Sequence, residues 1–426
     1  MHANFESSFR SMQRIIFLNR FFFPDHSATS QILSDLAFHL SASGHHVHVV
    51  TSQQRYGDPE ARLPAEETVR GVHIHRVATT RFGRSALAGR GLDYLSFYVS
   101  MRRCVLALAG PGDIVVAKTD PPLLCVLAMQ AARRRGARLV NWLQDLYPEV
   151  AIQLGVPMLR GPVGRGVTYL RDRSLTAADA NVVPGESMAA RVLSRGAAPE
   201  RVHIIPNWAD DESIVPVPHA ENPLRRDWGL EGKFVIGYSG NLGRAHEFDT
   251  VLGAAERLRE HAHVVFVFIG GGHQFDELAR RVAKRDLDRT VRFFPYQDHA
   301  ALKYSLSAAD LHWVSLRPEM EGLIFPSKFY GIAAAGRPVI AIAAKDSEIA
   351  RLVLRHDCGI VIEPGNAEAL AEALLLLSAD AKRRAAMGAS ARAMLDVNFT
   401  RRHGFAHWLR MLENVATPEE AGATTA

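Results

Sequence analysis

The chain has 426 residues, 47% of them hydrophobic and 22% charged, an ordinary balance for a soluble globular protein. A single core stops growing at roughly 250–300 residues, so this length implies two domains of about 200 each. A net charge of +5 is too diffuse to mark a nucleic-acid binder and suits anionic small molecules or an anionic membrane surface.

The opening "MHANFESSFRSMQ" holds no apolar run, so no signal peptide is expected; Met12 is an alternative start and residues 1–11 are expected to fray. "RIIFL" (14–18) reads as a buried strand, and "SQILSDLAFHLSASG" (30–44) as a helix closed by Gly44. "HVHVV", "GVHIHRV", "DIVVA", "ARLVNWL", "ANVV" and "VHIIP" follow as strands, most of them separated by helical patterns. Continuous apolar strands alternating with helices predict a parallel sheet covered on both faces. "NWADDESIVPVPHAENPLRRDWGLEG" (207–232), rich in Pro, Asp and Glu, reads as a linker. The alternation then restarts with "KFVIGYSG" (233–240), "HVVFVFIGGG", "VRFF", "DLHWVSL", "RPVIAIA" and "GIVIE". The last helix, "RRHGFAHWLRMLENV", is expected to return to the first domain, and the tail "ATPEEAGATTA" to be disordered. No run reaches the roughly 18 apolar residues of a bilayer span. Cys104, Cys125 and Cys358 stand singly in apolar settings, which predicts buried reduced thiols and disfavours zinc.

In such sheets ligands bind beyond the carboxyl ends of the strands. In "GYSGNLGRAHEF", Gly240 and Gly243 allow close backbone approach and Arg244 can pair with phosphate; a tight turn explains the glycines equally well. Three glycines in "FIGGGHQF", Gly271 among them, suggest close backbone approach to a ligand or only a sharp turn; in "FFPYQDHAAL", which holds Pro295 and Tyr296, main chain could pair with a base edge, or the stretch is only an exposed loop with an aromatic. Asp145 in "NWLQDLYPEVA" could orient or deprotonate an acceptor hydroxyl; its rival reading is a helix cap. His26 in "FFFPDHSATSQ" remains a candidate beside capping by Asp25 or Ser27. "EMEGLIFPSKFYG" (319–331) is a loop entering a helix near Pro326 or Ser327, where unpaired N–H groups and Lys328 attract a phosphate. Glu321 beside that site would accept hydrogen bonds from sugar hydroxyls, which together with the phosphate points to a nucleotide sugar; solvated loop charges are the alternative.

The ordered set "NRFFFPDHSATSQ", "LQDLYPE", "VHIIPNWAD", "VIGYSGNLGRAHEF", "VFIGGG", "EGLIFPSKFYGIAAAGRPVI" and "CGIVIEPGN" resembles the family-4 retaining glycosyltransferases of GT-B fold. It is most similar to the bacterial branch, with a P-S-K loop, that builds lipopolysaccharide, capsule or exopolysaccharide. The resemblance spans about residues 14 to 415 and implies an α/β GT-B architecture, two doubly wound Rossmann-like domains facing across a cleft. Residues 12–212 would bind acceptor, with helix 400–416 packed back on them, and 213–399 would bind the nucleotide sugar. Glu321, Gly322 and Pro326 match the family's acidic loop, which implies that Glu321 and the amides of Gly322, Leu323 and Ile324 hold the donor sugar and diphosphate. The family's second, ribose-gripping glutamate is replaced by Gly331, and Asn241 and His246 stand where its basic pair is common. Gly240, Arg244, Ser327 and Lys328 are then the diphosphate candidates, Gly271, Pro295 and Tyr296 the base region, and Asp145 and His26 the groups orienting acceptor, with Glu321 counted among the catalytic residues.

The implied reaction is sugar transfer with retention from a nucleotide diphosphate-sugar to a polyprenyl-linked acceptor, without metal or other cofactor. The implied setting is the cytoplasm, peripheral on the inner face of the cytoplasmic membrane, with no nucleic-acid partner. Apolar 89–110 with Arg102 and Arg103, and the cluster Arg133–Arg135, offer a surface for anionic lipid; a core helix accounts equally well for the apolar part. Two other readings stand beside this one: a sugar-nucleotide 2-epimerase of the same fold, and a non-catalytic nucleotide-binding partner subunit suggested by Gly331.

Overall fold

The computed structural model describes residues 13–56, 58, 60–82 and 87–417. The alternative start at Met12, the fraying of residues 1–11 and the tail from residue 418 onward lie outside the described residues. The chain divides into two compact units, one running to Pro206 and resuming at Phe405, the other comprising Asn207–Gly404.

The first unit is built on eight strands: β1 (Arg14–Leu18), β2 (His46–Ser52), β3 (Glu66–Val69), β4 (Val72–Val77), β5 (Ile114–Ala117), β6 (Arg138–Trp142), β7 (Ala180–Val183) and β8 (Val202–Ile204). Their order is β3-β4-β2-β1-β5-β6-β7-β8. All neighbours run parallel except β3, which pairs antiparallel with β4. Sequence reading missed β3 because "EETV" carries no apolar alternation; its place comes from the two-residue turn at Arg70 and Gly71, both in the left-handed region, a hairpin geometry. Ile16, Leu18, Val115 and Ala117 are buried beneath helices Leu87–Leu108 and Leu124–Arg135. Trp408, from helix Arg401–Ala416, packs on Trp142 with ring centroids 4.4 Å apart, and Phe405 stacks on His39 at 4.3 Å.

The second unit holds β9 (Phe234–Asn241), β10 (Val264–Gly271), β11 (Val291–Phe294), β12 (Leu311–Ser315), β13 (Val339–Ile342) and β14 (Gly359–Ile362). They order as β11-β10-β9-β12-β13-β14, all parallel. Alternate residues of one strand go to opposite faces: Trp313 joins one core, Val314 the other. Segment 207–232, expected as a linker, is folded into this unit. Trp208, Ile214 and Val217 are buried, and Asn222 caps a short helix at Pro223–Asp227. Its Pro and acidic content hid apolar anchors that have no regular period.

Both sheets place their first strand in the interior, so strand order reverses between β1 and β5 and again between β9 and β12. Such switch points open a crevice at the carboxyl ends of the strands.

Candidate functional site

At the second unit's switch point the loops after β9 and β12 are bonded together. The Arg317 amide donates to the Ala245 carbonyl at 3.2 Å, and the Glu247 amide to Ser315 Oγ at 3.0 Å. His246 Nδ1 lies 2.7 Å from the Ser315 carbonyl, and His246 Nε2 lies 3.1 Å from Lys328 Nζ. The lysine stem runs under Gly240, where an added Cβ would meet Lys328 Cε at 2.9 Å, and its ammonium lies 5.3 Å from the Tyr238 ring centroid. Gly240, at φ +125°, takes a backbone conformation that favours glycine. Burial lowers the Lys328 pKa to about 8 and that of His246, with the nearby ammonium adding, to about 3. This is therefore a neutral imidazole beside a cation that titrates within the working range.

Glu321 lies in the loop after β12, and its Oε1 accepts from the Glu348 amide at 3.0 Å, at the start of helix Glu348–Arg355. Gly322, at φ +69°, turns the loop. The Leu323 and Ile324 amides, expected to face a ligand, both donate to the Met320 carbonyl, at 2.9 and 3.3 Å; in this conformation they are used by the loop itself. Ser327 precedes helix Lys328–Ala334 and its side chain caps nothing. Arg244 is exposed in the loop after β9. After β10 and β11, Tyr296 lays its exposed ring against the glycine turn, so that a Cβ on Gly271 would approach the ring to 3.1 Å. Pro295, also exposed, adjoins it. The glycine run of β10 has a further cause unseen in sequence: a Cβ on Gly270 would meet the Gly240 carbonyl oxygen at 2.4 Å. The close backbone approach there is between the two turns.

The first unit gathers ionisable groups at its own switch point. The Arg20 amide donates to the Asp120 carbonyl at 2.7 Å, tying the loops after β1 and β5. Lys118, just past β5, is fully buried; its Nζ has no hydrogen-bond partner among the described residues and lies 3.5 Å from the Trp142 ring centroid. Burial pulls its pKa down to about 7, against the opposing pull of Asp120 and Asp145. Burial, with Asp120 adding, pushes Asp145 up to about 6. Asp145 is not a helix cap: helix Glu149–Gln153 starts after Pro148, and the Asp145 alternative reading falls away. Glu149 is bound by Arg171 and Arg195 at 2.5 and 3.2 Å. His26 is exposed in the loop after β1, and it is Asp25 that accepts from the Ser27 amide, at 2.8 Å, while the Ser27 side chain caps nothing.

Strand order thus gathers Gly240, Arg244, Gly271, Tyr296, Glu321 and Lys328 along one edge of the second sheet, and Asp145 and His26 along the corresponding edge of the first. Sequence reading missed Lys118, Asp120 and the role of His246. "DIVVAKTDPP" carried the signal for the first two: a lysine continuing an apolar strand. Nothing in sequence pairs His246 with Lys328, 82 residues away. Among the described residues no group of three or more His, Cys, Asp or Glu is arranged to hold a metal.

Two doubly wound units with charged groups gathered at each switch point define a two-domain α/β enzyme. Comparison with known proteins gives the class. Residues 28–208 match the family described as "Glycosyl transferase 4-like domain", and residues 221–394 the family "Glycosyl transferases group 1". The chain is a glycosyltransferase of the GT-B fold, carrying one of these domains in each half. It is similar to the probable glycosyltransferase WbjE of Pseudomonas aeruginosa, 29% identical over 68% of this chain and 72% of that one. It is also similar to the putative colanic acid biosynthesis glycosyl transferase WcaI of Escherichia coli K12, 27% identical over 83% of this chain and 90% of the relative. Among solved structures, Anabaena Alr3699/HepE in complex with UDP superposes with a TM-score of 0.71 at 15% identity, covering 95% of this chain and 100% of that one, a likeness of fold.

Proposed function

We propose that the enzyme transfers a sugar from a nucleotide diphosphate-sugar, with retention of anomeric configuration, to a lipid-linked glycan in cell-surface polysaccharide synthesis. One observation carries the donor reading: Lys328, a half-buried ammonium, stands at the switch point beside the Gly240 turn. A diphosphate leaving group needs positive charge where its own charge develops, and a partly desolvated ammonium supplies it more effectively than an exposed one. Arg244 would add charge from the loop after β9, Glu321 would take sugar hydroxyls, and Tyr296 on its glycine turn would give the base a stacking face. The HepE structure was solved in complex with UDP, and the WcaI name refers to colanic acid biosynthesis; both support this reading.

No paired carboxylates of the kind used by retaining hydrolases are needed if the departing phosphate takes the acceptor proton on the same face. Asp145, its pKa raised to about 6, would orient the acceptor hydroxyl. For a lipid-linked acceptor the supporting surface is the first unit. Helix Leu87–Leu108 exposes Leu92, Leu95 and Val99, with Arg102 and Arg103 further along it. The segment 157–173 exposes Met158, Val163, Tyr169 and Leu170 among Arg160, Arg165 and Arg173. Apolar side chains interspersed with arginine suit an anionic interface. No helix among the described residues is long and apolar enough to cross a membrane.

Thermal shift against UDP-, GDP- and dTDP-sugars tests the donor. A ligand at 100 times its Kd stabilises the fold by about 2.7 kcal/mol. One class should raise Tm, and the anomeric proton of the transferred sugar should report retention by NMR. Failure of every nucleotide sugar to shift Tm would defeat the reading.

A further inference from the structure

His246 occupies a position where its chemistry is fixed from both sides. A carbonyl oxygen only accepts hydrogen bonds, so the 2.7 Å contact to the Ser315 carbonyl requires the proton on Nδ1. An ammonium only donates, so the 3.1 Å contact to Lys328 requires a bare Nε2. The two contacts demand the same neutral tautomer independently. The ring is held further by an edge contact with Tyr238, centroids 6.1 Å apart, whose hydroxyl donates to the Asn241 carbonyl at 2.8 Å.

We propose that His246 is a positioning residue of the donor site: as a neutral imidazole it accepts one N–H of Lys328 and aims the other two at the donor's diphosphate. This rests on the donor reading above. The lysine stem is confined on its other side by Gly240, so the ammonium is located by contacts at both ends. A basic side chain in place of His246 would repel Lys328; a neutral acceptor lets a single cation stand there without being pushed away. The charged and titratable groups around the imidazole are Lys328, Arg317 and Tyr238, and both cations oppose its protonation. His246 therefore stays neutral as pH varies around neutrality, and Lys328 is the group that titrates, with its pKa near 8.

Calorimetric titration of the full chain with UDP, GDP and inorganic pyrophosphate tests this, using whichever probe binds the wild type. Lys328→Met should lose affinity by about 100-fold and His246→Leu by about 10-fold, while His246→Gln, whose amide oxygen can take the place of Nε2, should recover most of it. The loss of wild-type affinity as pH rises past about 8 should begin at lower pH in His246→Leu, because the ammonium then lacks its acceptor. Unchanged affinity in Lys328→Met would refute the donor reading itself. Lost affinity in Lys328→Met with wild-type affinity in His246→Leu would refute the positioning role alone, as would a His246→Gln variant no better than His246→Leu. If His246→Leu does not fold, imidazole nitrogen shifts of the 15N-histidine wild type decide: protonated Nδ1 with bare Nε2 supports the proposal, and the opposite tautomer overturns it.

Discussion

Lys118 in the first unit and Lys328 in the second both lie over an aromatic ring at a switch point, yet they are held in opposite ways. Lys118 is fully buried, its Nζ without a hydrogen-bond partner among the described residues and 3.5 Å from the Trp142 centroid. Lys328 is half-buried, 5.3 Å from the Tyr238 centroid, and donates to a dedicated acceptor. The pKa is lowered further, to about 7, for the sealed lysine than for the accessible one, at about 8. An ammonium with an acceptor and some access to solvent is ready for an anion. One closed over an indole can act outward only through the field it lends to Asp120 and Asp145. Burial by itself therefore does not mark a ligand-binding lysine; the company it keeps does.

Methionine at each position separates the two roles. Lys328→Met is expected to have the larger effect on binding: a loss of about 2–3 kcal/mol for a nucleoside diphosphate, the scale of charge-assisted hydrogen bonds, with no fall in Tm, since burial of its ammonium is relieved too. A binding isotherm matching wild type would erase the contrast. Gly240→Ala comes next. It forces a left-handed alanine and pushes Cβ against the lysine stem, for a destabilisation of roughly 1–3 kcal/mol together with weaker donor binding. Chemical denaturation and calorimetry on the same sample would report both, and a change in neither would mean that the stem is free to move.

Lys118→Met should act with the opposite sign on stability, raising it by roughly 1–2 kcal/mol near pH 7, because burial of an unpaired ammonium is relieved. The sign with pH follows from proton binding. The folded-state pKa is about 7 against an ordinary 10.5, so between these values the unfolded chain binds more protons and wild-type stability rises with pH. The advantage of the methionine variant should thus be greatest at pH 7 and below and fade toward about pH 10. Melting curves at three pH values check this; an advantage independent of pH would show that packing, and not charge, is responsible. The smallest effect is expected at Gly331, where an added Cβ would meet only Leu306 Cδ1, at 3.8 Å. Gly331→Ala should stabilise helix Lys328–Ala334 by about 0.5–1 kcal/mol without weakening donor binding. Lost binding there would mean that the absent side chain leaves room the nucleotide uses.

Much of the fold was legible because apolar strands alternating with helical stripes leave few alternatives to a doubly wound sheet. β3 was not, since a polar edge strand gains its pairing from a neighbour and a turn. Segment 207–232 was misread for a related reason: Trp208, Ile214 and Val217 are anchors without a period. Within the candidate site, Lys328 and Glu321 stood out as charges beside glycine and proline. The amides of Leu323 and Ile324 did not behave as expected, because the loop closes its own hydrogen bonds to Met320.

By itself the sequence determined two parallel α/β units and the loops in which charge and glycine collect, because local periodicity and turn chemistry act over a few residues. Only the tertiary structure decided which of those charges meet. Strand order, which no local pattern encodes, brought β9 beside β12 and so set His246 against Lys328; it also placed β5 between β1 and β6, gathering Arg20, Lys118 and Asp120 beside Asp145.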